Sequence, residues 1–374
     1  MARPEGARPG QPERPEVLQF GSLRQRRWHR PRWLAPAVVL LIAAGVAVVV
    51  VVTAAPGKKH SAAHGPVTVT SVGHPLLGVR AGWELFGLGS GEVVRIQLAA
   101  GRITRTTVPP LQSTGPVTFL TGPHQVIIRP LDFVPGYLIP DGQPAQALRA
   151  ALSHGGTVLP GPRPGQVWVQ DMSRQHPLMS LVGQDGSKLA AAIPIPASGR
   201  WPVISDGRGY LLIHRAGRVY DARPAARHLI TSGAVAAVGP TRWLTVACRR
   251  RHHCLDVVID SVTGSRRVLA GPRLSTIAPA GVISPDGSTA ALFQVRAGGQ
   301  TTLHLLSLAS GTDHAIPVHP SQEPAGLGAV AWSPDSQWLF VVTADGRIAA
   351  VSARTGRVRG LGVALPPVSQ LAVR

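Results

Sequence analysis

Short apolar runs separated by turn-forming residues make up most of the chain after residue 76. The clearest example spans residues 332–348, where a Ser-Pro-Asp turn precedes the apolar run 338–342 and a second, Gly-containing turn follows it. Runs of this length that are rich in β-branched and aromatic residues and bounded by Gly, Pro, Asp and Ser are typical of strands. Helical periodicity is scarce outside one long apolar segment. The pattern therefore predicts an all-β fold for most of the chain.

The strand pattern repeats along the chain. The second strand of each unit is expected to begin near residues 83, 125, 167, 210, 243, 289 and 338. A period of about 40–45 residues with four short strands per unit is typical of a β-propeller blade. We predict a single β-propeller over residues 76–374 with seven blades, six or eight being compatible with the weaker repeats. A β-sandwich or a pair of small β domains is the alternative architecture.

Closing such a ring requires one blade that is built from both ends of the domain. The C-terminal stretch 369–374 is similar to the expected inner strand at 328–332, whereas the first unit lacks an inner strand of its own. We therefore expect residues 368–374 to pair with the segment near 83–88.

Two of the predicted turns share a motif. They consist of Ser284, Pro285, Asp286 and Gly287, and of Ser333, Pro334 and Asp335. The motif resembles the Ser-Pro-Asp-Gly turn of WD-repeat-like and Tol-type propeller repeats, in which Pro presets φ, Asp caps the turn and Gly takes positive φ. The resemblance covers residues 277–360, and the Trp-Asp dipeptide of a true WD repeat is absent from the sequence. It implies a bacterial, membrane-anchored propeller that faces the cell envelope and binds partner proteins rather than catalysing a reaction.

Residues 34–55 form an apolar run without a charged residue. A helix of this length spans roughly 33 Å, enough for the hydrocarbon core of a bilayer. Arginines crowd the residues before the run and only Lys58 and Lys59 follow it closely, so the positive-inside rule places the N-terminus in the cytoplasm. We predict a disordered basic tail at 1–33, a transmembrane helix at 34–55 and a linker at 56–75. A cleaved signal peptide and a buried core helix are the alternatives.

Composition adds a strong positive charge to this picture. The formal net charge is +20, and nearly all of it comes from Arg because the only lysines are Lys58, Lys59 and Lys188. Such a surface attracts anionic envelope polymers or lipid head groups, although an Arg-rich coding bias would leave the same excess. No stripe of alternating Arg and aromatic residues occurs, so we expect no nucleic-acid partner.

The two cysteines flank the tip of a predicted hairpin. Cys248 and Cys254 enclose the residues Arg249, Arg250, Arg251, His252 and His253. Facing residues on antiparallel strands lie within disulfide range, and the exterior of a cell is oxidising. We predict a disulfide with Ala247 opposite Leu255 and Thr245 opposite Val257, the alternatives being a zinc site or two free thiols. The tip would then form a cationic knob, either solvated or in contact with an anionic partner.

No catalytic, cofactor-binding or metal-binding motif is present in the sequence, and acidic residues are sparse. We therefore predict a membrane-anchored extracytoplasmic propeller, without enzymatic activity or cofactor, that serves as a protein-binding or scaffold module at the cell envelope. An enzyme with its active site in the propeller channel is one alternative. A transmembrane sensor that signals through residues 17–27 is the other.

Overall fold

Antiparallel strand pairing organises the chain from residue 67 to its C-terminus. The computed structural model describes residues 67–111, 116–131, 134–148, 156–171, 177–183, 186–196, 203–224, 226–250, 253–270, 281–295, 300–321 and 328–374. These residues contain strands and one 3-10 turn, Leu76–Gly78, but no α-helix. Accordingly, the described part of the chain holds no helix with the length and apolar character needed to cross a bilayer. The predicted tail 1–33 and transmembrane helix 34–55 lie outside the described residues.

The strands form six hydrogen-bonded sheets, numbered here I to VI. Sheet I has the order β1-β4-β3-β2-β29 and consists of β1 (Val67–Ser71), β2 (Glu84–Gly89), β3 (Glu92–Gln97), β4 (Arg102–Thr107) and β29 (Val368–Val373). Sheet II consists of β5 (Val117–Thr121), β6 (Gln125–Pro130), β7 (Tyr137–Pro140) and β8 (Gln146–Ala147). Sheet III consists of β9 (Val158–Pro160), β10 (Gln166–Asp171), β11 (Leu178–Gly183) and β12 (Ile193–Pro194).

Sheet IV consists of β13 (Val203–Ser205), β14 (Leu211–Arg215), β15 (Arg218–Arg223) and β16 (Ala226–Thr231). Sheet V consists of β17 (Ala234–Val238), β18 (Arg242–Arg250), β19 (His253–Asp260), β20 (Arg266–Val268), β21 (Gly281–Ile283), β22 (Thr289–Val295), β23 (Thr301–Ser307) and β24 (Asp313–Ile316). Sheet VI consists of β25 (Val330–Trp332), β26 (Trp338–Val342), β27 (Ile348–Ser352) and β28 (Val358–Gly360).

The number of sheets differs from the seven separate blades that the repeat predicts. Sheet V has eight strands because β17 and β21 pair in parallel, with Ala237 opposite Gly281 and Val238 opposite Val282. A Cβ atom at Gly281 would lie 2.7 Å from the Ala236 carbonyl oxygen, so the glycine permits this close approach. The repeat spacing missed the fusion because it reports where strands begin and not which strands share hydrogen bonds.

Within the sheets the strand positions follow the sequence pattern closely. The strands expected near 83, 125, 167, 210, 243, 289 and 338 begin at Glu84, Gln125, Gln166, Leu211, Arg242, Thr289 and Trp338. The segment assigned to a linker, 56–75, contains β1, which pairs with β4 along its whole length. The β-branched Val-Thr-Val-Thr sequence of β1 suits an edge strand, and all of its residues except Val67 are exposed.

The predicted closure of the ring is confirmed. The C-terminal strand β29 pairs antiparallel with β2, so that Phe86 lies opposite Ala372 and Leu88 lies opposite Gln370. It also reaches both flanking sheets, since the side-chain amide of Gln370 donates to the Val117 carbonyl oxygen at 2.6 Å. On the other side, the Leu371 amide donates to the Gly328 carbonyl oxygen at 2.5 Å.

Apolar layers between neighbouring sheets form the core. Alternate residues of one strand serve two different layers, as in β6, where Ile128 packs toward sheet I and Ile127 toward sheet III. The last layer joins Phe340 of sheet VI to Leu85 of sheet I. The sheets therefore follow one another in a closed, propeller-like arrangement in which each buries two faces.

Tryptophan side chains tie neighbouring sheets together. The indole N–H of Trp168 in β10 donates to the Gly209 carbonyl oxygen at 2.8 Å, and that of Trp243 in β18 donates to the Asp206 carbonyl oxygen at 2.8 Å. Both rings are fully buried, so each satisfied N–H removes an otherwise costly polar group from the core. These bonds fix the spacing between successive sheets.

If β29 closes the ring, its buried and exposed side chains should differ sharply in their effect on stability. Leu371→Ala removes a side chain that is only 2% exposed and should lower the free energy of unfolding by about 2–5 kcal/mol. Ser369→Ala on the same strand removes one hydrogen bond to the Leu88 carbonyl oxygen and should cost less than about 1.5 kcal/mol. Denaturant unfolding of the full chain measures both. Equal, small effects would show that the closure does not hold the fold.

Candidate functional site

The two Ser-Pro-Asp motifs form turns between the first and second strands of their units. In the turn from β21 to β22, the Ser284 hydroxyl donates to Asp286 Oδ1 at 2.6 Å, and the Thr289 amide donates to Ser284 Oγ at 3.0 Å. Gly287 adopts φ 74°, as the resemblance implies. Burial raises the pKa of Asp286, but hydrogen bonds from Ser284 and Ser288 outweigh it and the pKa falls below its usual value. The motif stabilises the turn and offers no reactive group.

The second motif departs from the pattern in an informative way. Ser336 stands where the first motif has glycine, yet it also takes positive φ, at 59°. Its hydroxyl oxygen accepts a hydrogen bond from the Asp286 amide at 3.0 Å. The strained backbone is thus compensated by a bond that links neighbouring turns.

Among the described residues, the largest group of paired charged side chains lies where the ring closes. We call Glu84, Arg95, Asp141 and Arg374 the closure cluster. The Arg374 guanidinium contacts the Glu84 carboxylate and donates to Asp141 Oδ2 at 2.9 Å. On the other side of Glu84, Arg95 donates to Oε1 at 2.6 Å and Gln97 donates to the same oxygen at 2.8 Å. The main chains of Glu84 and Arg374 also exchange two hydrogen bonds, of 2.7 and 2.9 Å.

The environment of the closure cluster keeps its members charged. Burial tends to raise the pKa of Glu84, but hydrogen bonds from Arg95, Gln97 and Arg374 dominate and hold the pKa below its usual range. Burial tends to lower the pKa of Arg374, while Asp141 and Glu84 raise it beyond its usual value. A carboxylate with a depressed pKa and three donors is a poor proton shuttle. The cluster therefore suits a structural clasp better than acid–base catalysis.

A second pair of carboxyl groups is buried in sheet IV. Asp206 is fully buried, and its Oδ1 accepts from the Arg208 and Tyr210 amides at 2.7 and 2.8 Å, whereas Oδ2 has no partner. Burial, reinforced by the charge of Asp221, raises the pKa of Asp206. Asp221 is buried as well, so neither carboxyl group is open to solvent in the part of the chain that the structure describes.

A hydrogen-bonded array of Thr302, His304 and Asp313 lies on β23 and β24. His304 Nδ1 lies 2.9 Å from Asp313 Oδ2, and its Nε2 lies 3.2 Å from Thr302 Oγ1. This order of groups is that of a hydroxyl, a base and an orienting acid. Thr302 Oγ1, however, also lies 3.3 Å from the Gln294 carbonyl oxygen, to which it donates. The array stands on the outer strands of sheet V.

The cysteine hairpin has the predicted backbone register. Cys248 lies directly opposite Cys254, Ala247 opposite Leu255, and Thr245 opposite Val257. The register is confirmed, while the disulfide itself stays a prediction. Of the knob, Arg249, Arg250 and His253 lie on described backbone and Arg251 and His252 lie outside the described residues. No group of three or more potential metal ligands occurs in the part of the chain that the structure describes.

Sequence reasoning missed the closure cluster because its members are far apart along the chain. Glu84 and Arg374 are separated by 290 positions, and neither belongs to a recognisable motif. One clue was nevertheless present in the sequence. Pairing segment 368–374 with segment 83–88 places the C-terminal end of the first beside the N-terminal end of the second. Opposite charges at those two positions were the available clue.

Comparisons with known proteins add little. No family model matches the chain, and no curated protein matches its sequence. Solved structures with a similar arrangement include a protein of unknown function from Desulfotomaculum acetoxidans (11% identity, 78% of this chain and 98% of that chain, TM-score 0.48). Others are TolB from Acinetobacter baumannii (14%, 78% and 82%, 0.43) and oligogalacturonate lyase in complex with manganese (12%, 74% and 87%, 0.47). At these identities and scores the likenesses decide neither family nor function.

The closure cluster predicts a specific pH dependence. Because the pKa of Glu84 is lowered from 4.5 in the folded chain, its stabilising effect is full above that value and lost as the pH falls through the folded pKa. Glu84→Gln should therefore cost about 1.5–3 kcal/mol at pH 7 and progressively less on acidification toward pH 3.

The matched control is Glu92→Gln. Glu92 lies in the same sheet, is half-buried, and has no hydrogen-bond or ion-pair partner among the described residues. This variant should stay within about 0.5 kcal/mol of the parent at every pH. Urea unfolding across the pH range measures both differences. A Glu84→Gln penalty that did not change with pH would contradict the ionic role of the cluster.

Proposed function

We propose that the chain is a single-pass membrane protein whose propeller-like domain lies outside the cytoplasm and binds an acidic protein partner at the cell envelope. The apolar run 34–55 and the facing cysteines support the location. The binding role rests chiefly on one observation, the uneven distribution of charge between the two ends of the sheets.

Each four-strand unit has two distinct ends. In an antiparallel meander, the connections between first and second strands and between third and fourth strands share one end, here the turn end. The connection between second and third strands lies at the other, here the hairpin end. Turns of neighbouring units meet, since a Cβ atom at Gly207 would lie 2.5 Å from the Gly239 carbonyl carbon. The turn ends of successive units therefore lie on the same side of the domain.

Among the described residues, Glu92, Asp171 and Asp345 lie at the hairpin end. More carboxylates lie at the turn end, and six of these are engaged within the chain. These residues are Glu84, Asp141, Asp206, Asp260, Asp286 and Asp335, all of which accept hydrogen bonds from side chains or turn amides. A carboxylate that is already saturated contributes little attraction for a partner. The carboxylates of the turn end therefore stabilise the fold and contribute little to partner binding.

The hairpin end carries exposed arginines. Arg215 and Arg218 are exposed and flank the turn between β14 and β15. Arg347 ends the turn between β26 and β27 with its side chain 85% exposed, and it pairs there with the exposed Asp345 at 3.1 Å. The predicted knob, with Arg249, Arg250 and Arg251, occupies the corresponding hairpin between β18 and β19. Guanidinium groups pair with carboxylates through two parallel hydrogen bonds, so this end suits an acidic protein surface.

A charge-matched pair of variants tests the binding face. The hairpin-end variant carries Arg215→Ala, Arg218→Ala and Arg250→Ala. The turn-end control carries Arg163→Ala, Arg354→Ala and Arg357→Ala, which removes three exposed arginines from the opposite side. Crosslinking of the full chain in intact membranes, followed by mass spectrometry, should show several-fold less partner for the hairpin-end variant only, because rim charges govern encounter. Higher salt should weaken capture of the parent.

Two outcomes would overturn the proposal. One is equal loss of the captured partner in both variants, which would indicate non-specific attraction to net charge. The other is capture of no partner together with turnover of a small-molecule panel by the purified chain, which would favour the enzyme alternative.

A further inference from the structure

Arg129 is a buried cation without a hydrogen-bond or ion-pair partner among the described residues. It is 1% exposed, and no other arginine among the described residues is buried as deeply. None of its three guanidinium nitrogens, Nε, Nη1 and Nη2, makes a hydrogen bond. Buried charges in proteins are normally paired, because an unpaired ion in an apolar interior is strongly unfavourable.

The contrast with Arg374 shows what is missing. Arg374 is also largely buried, but its guanidinium has two carboxylates, Glu84 and Asp141, and the Gly122 carbonyl oxygen as acceptors. Burial is the sole influence on the pKa of Arg129, which it lowers to about 10. The side chain is therefore still a cation at neutral pH. The chain supplies this cation with no acceptor among the described residues.

Arg129 lies on the side of sheet II that packs against an apolar layer, and the residue directly opposite it on β5 carries a hydroxyl group. Arg129 lies on the face of β6 that also carries Ile127, which packs in the layer between sheets II and III. That layer consists of aliphatic side chains, among them Val158 and Val167. Directly opposite on β5 lies Thr118, which is also buried. A polar ligand here would meet one fork of N–H donors and one hydroxyl group in a low-dielectric setting.

Arg129 lies near the end of its strand. It is the next-to-last residue of β6, so it lies one residue from the connection to β7. That connection belongs to the hairpin end, where the exposed arginines would draw anions toward the domain.

We propose that Arg129 anchors a binding site for a small oxyanion, the carboxylate or phosphate group of a low-molecular-weight ligand. The planar guanidinium presents two parallel N–H donors that match either group. The Thr118 hydroxyl is the neighbouring polar group that would help to orient it. The site does not depend on the proposed protein partner, because it lies within a sheet layer and not on the surface.

The test is thermal unfolding of the full chain in detergent, with sodium phosphate or sodium acetate replacing sodium chloride at constant ionic strength. A ligand that binds only the folded state raises the unfolding temperature. We expect a rise of about 2 °C or more at tens of millimolar of the preferred anion. The phosphate and acetate arms distinguish the two chemistries. Absence of a rise with either anion overturns the proposal.

Substitutions test whether the change in unfolding temperature with the anion depends on Arg129. Arg129→Met replaces an unpaired charge by an apolar chain of similar length and should abolish the anion response while unfolding at a higher temperature than the parent in chloride. Arg163→Met removes an exposed arginine and should keep the response. Where Arg129→Met does not fold, the parent titration and Arg129→Lys, which loses the two-pronged geometry, decide the question.

One result would show that the chain itself provides the negative charge beside Arg129. Asp132 lies outside the described residues and is the carboxylate closest to Arg129 in the sequence. If the parent shows no anion response and Asp132→Asn creates one, the protein supplies its own counter-charge and the proposal fails.

Discussion

The pairing of β29 with β2 is the constraint on which the rest of the domain depends. Every sheet has two apolar faces, and the first sheet has an innermost strand only because the last residues of the chain return to it. From that position β29 bonds to three sheets, through Gln370 on one side and Leu371 on the other. The closure cluster adds an ionic clamp at Arg374, the residue that follows β29. Without this strand, two apolar layers would be open to water.

The charged side chains of this protein fall into two groups: some stabilise the fold and others face the solvent. Carboxylates are few, and those at the turn end are bound to turn amides, hydroxyls or guanidinium groups. The exposed excess is consequently almost pure guanidinium. The net charge of the chain is +20, and the fold is still compact because the few carboxylates lie at turns and at the ring closure, where they stabilise local contacts. This arrangement also leaves the hairpin end positive, and Arg129 unmatched inside.

Sequence periodicity predicted the fold well and the charged groups poorly. Strand starts and the closing strand follow from local patterns of apolar and turn residues, which act over a few positions. The fusion within sheet V depends on a glycine contact between distant strands, Gly281 against Ala236, and spacing carries no trace of it. Glu84, Asp141 and Arg374 meet only in three dimensions. The burial of Arg129 could not be predicted either. In the sequence it looks like an ordinary strand residue, since a single Arg that ends an apolar run is usually solvated.

Native-state hydrogen exchange on the full chain tests the central claim most directly. If β29 closes the domain, the hydrogen-bonded amides of β2 and β29 should exchange only through global unfolding, with the same free energy as amides in the central strands of the other sheets. Exchange of the β29 amides at a free energy several kcal/mol lower, while the other sheets stay protected, would show a strand that detaches on its own. That result would contradict the account of a ring held by its C-terminal strand.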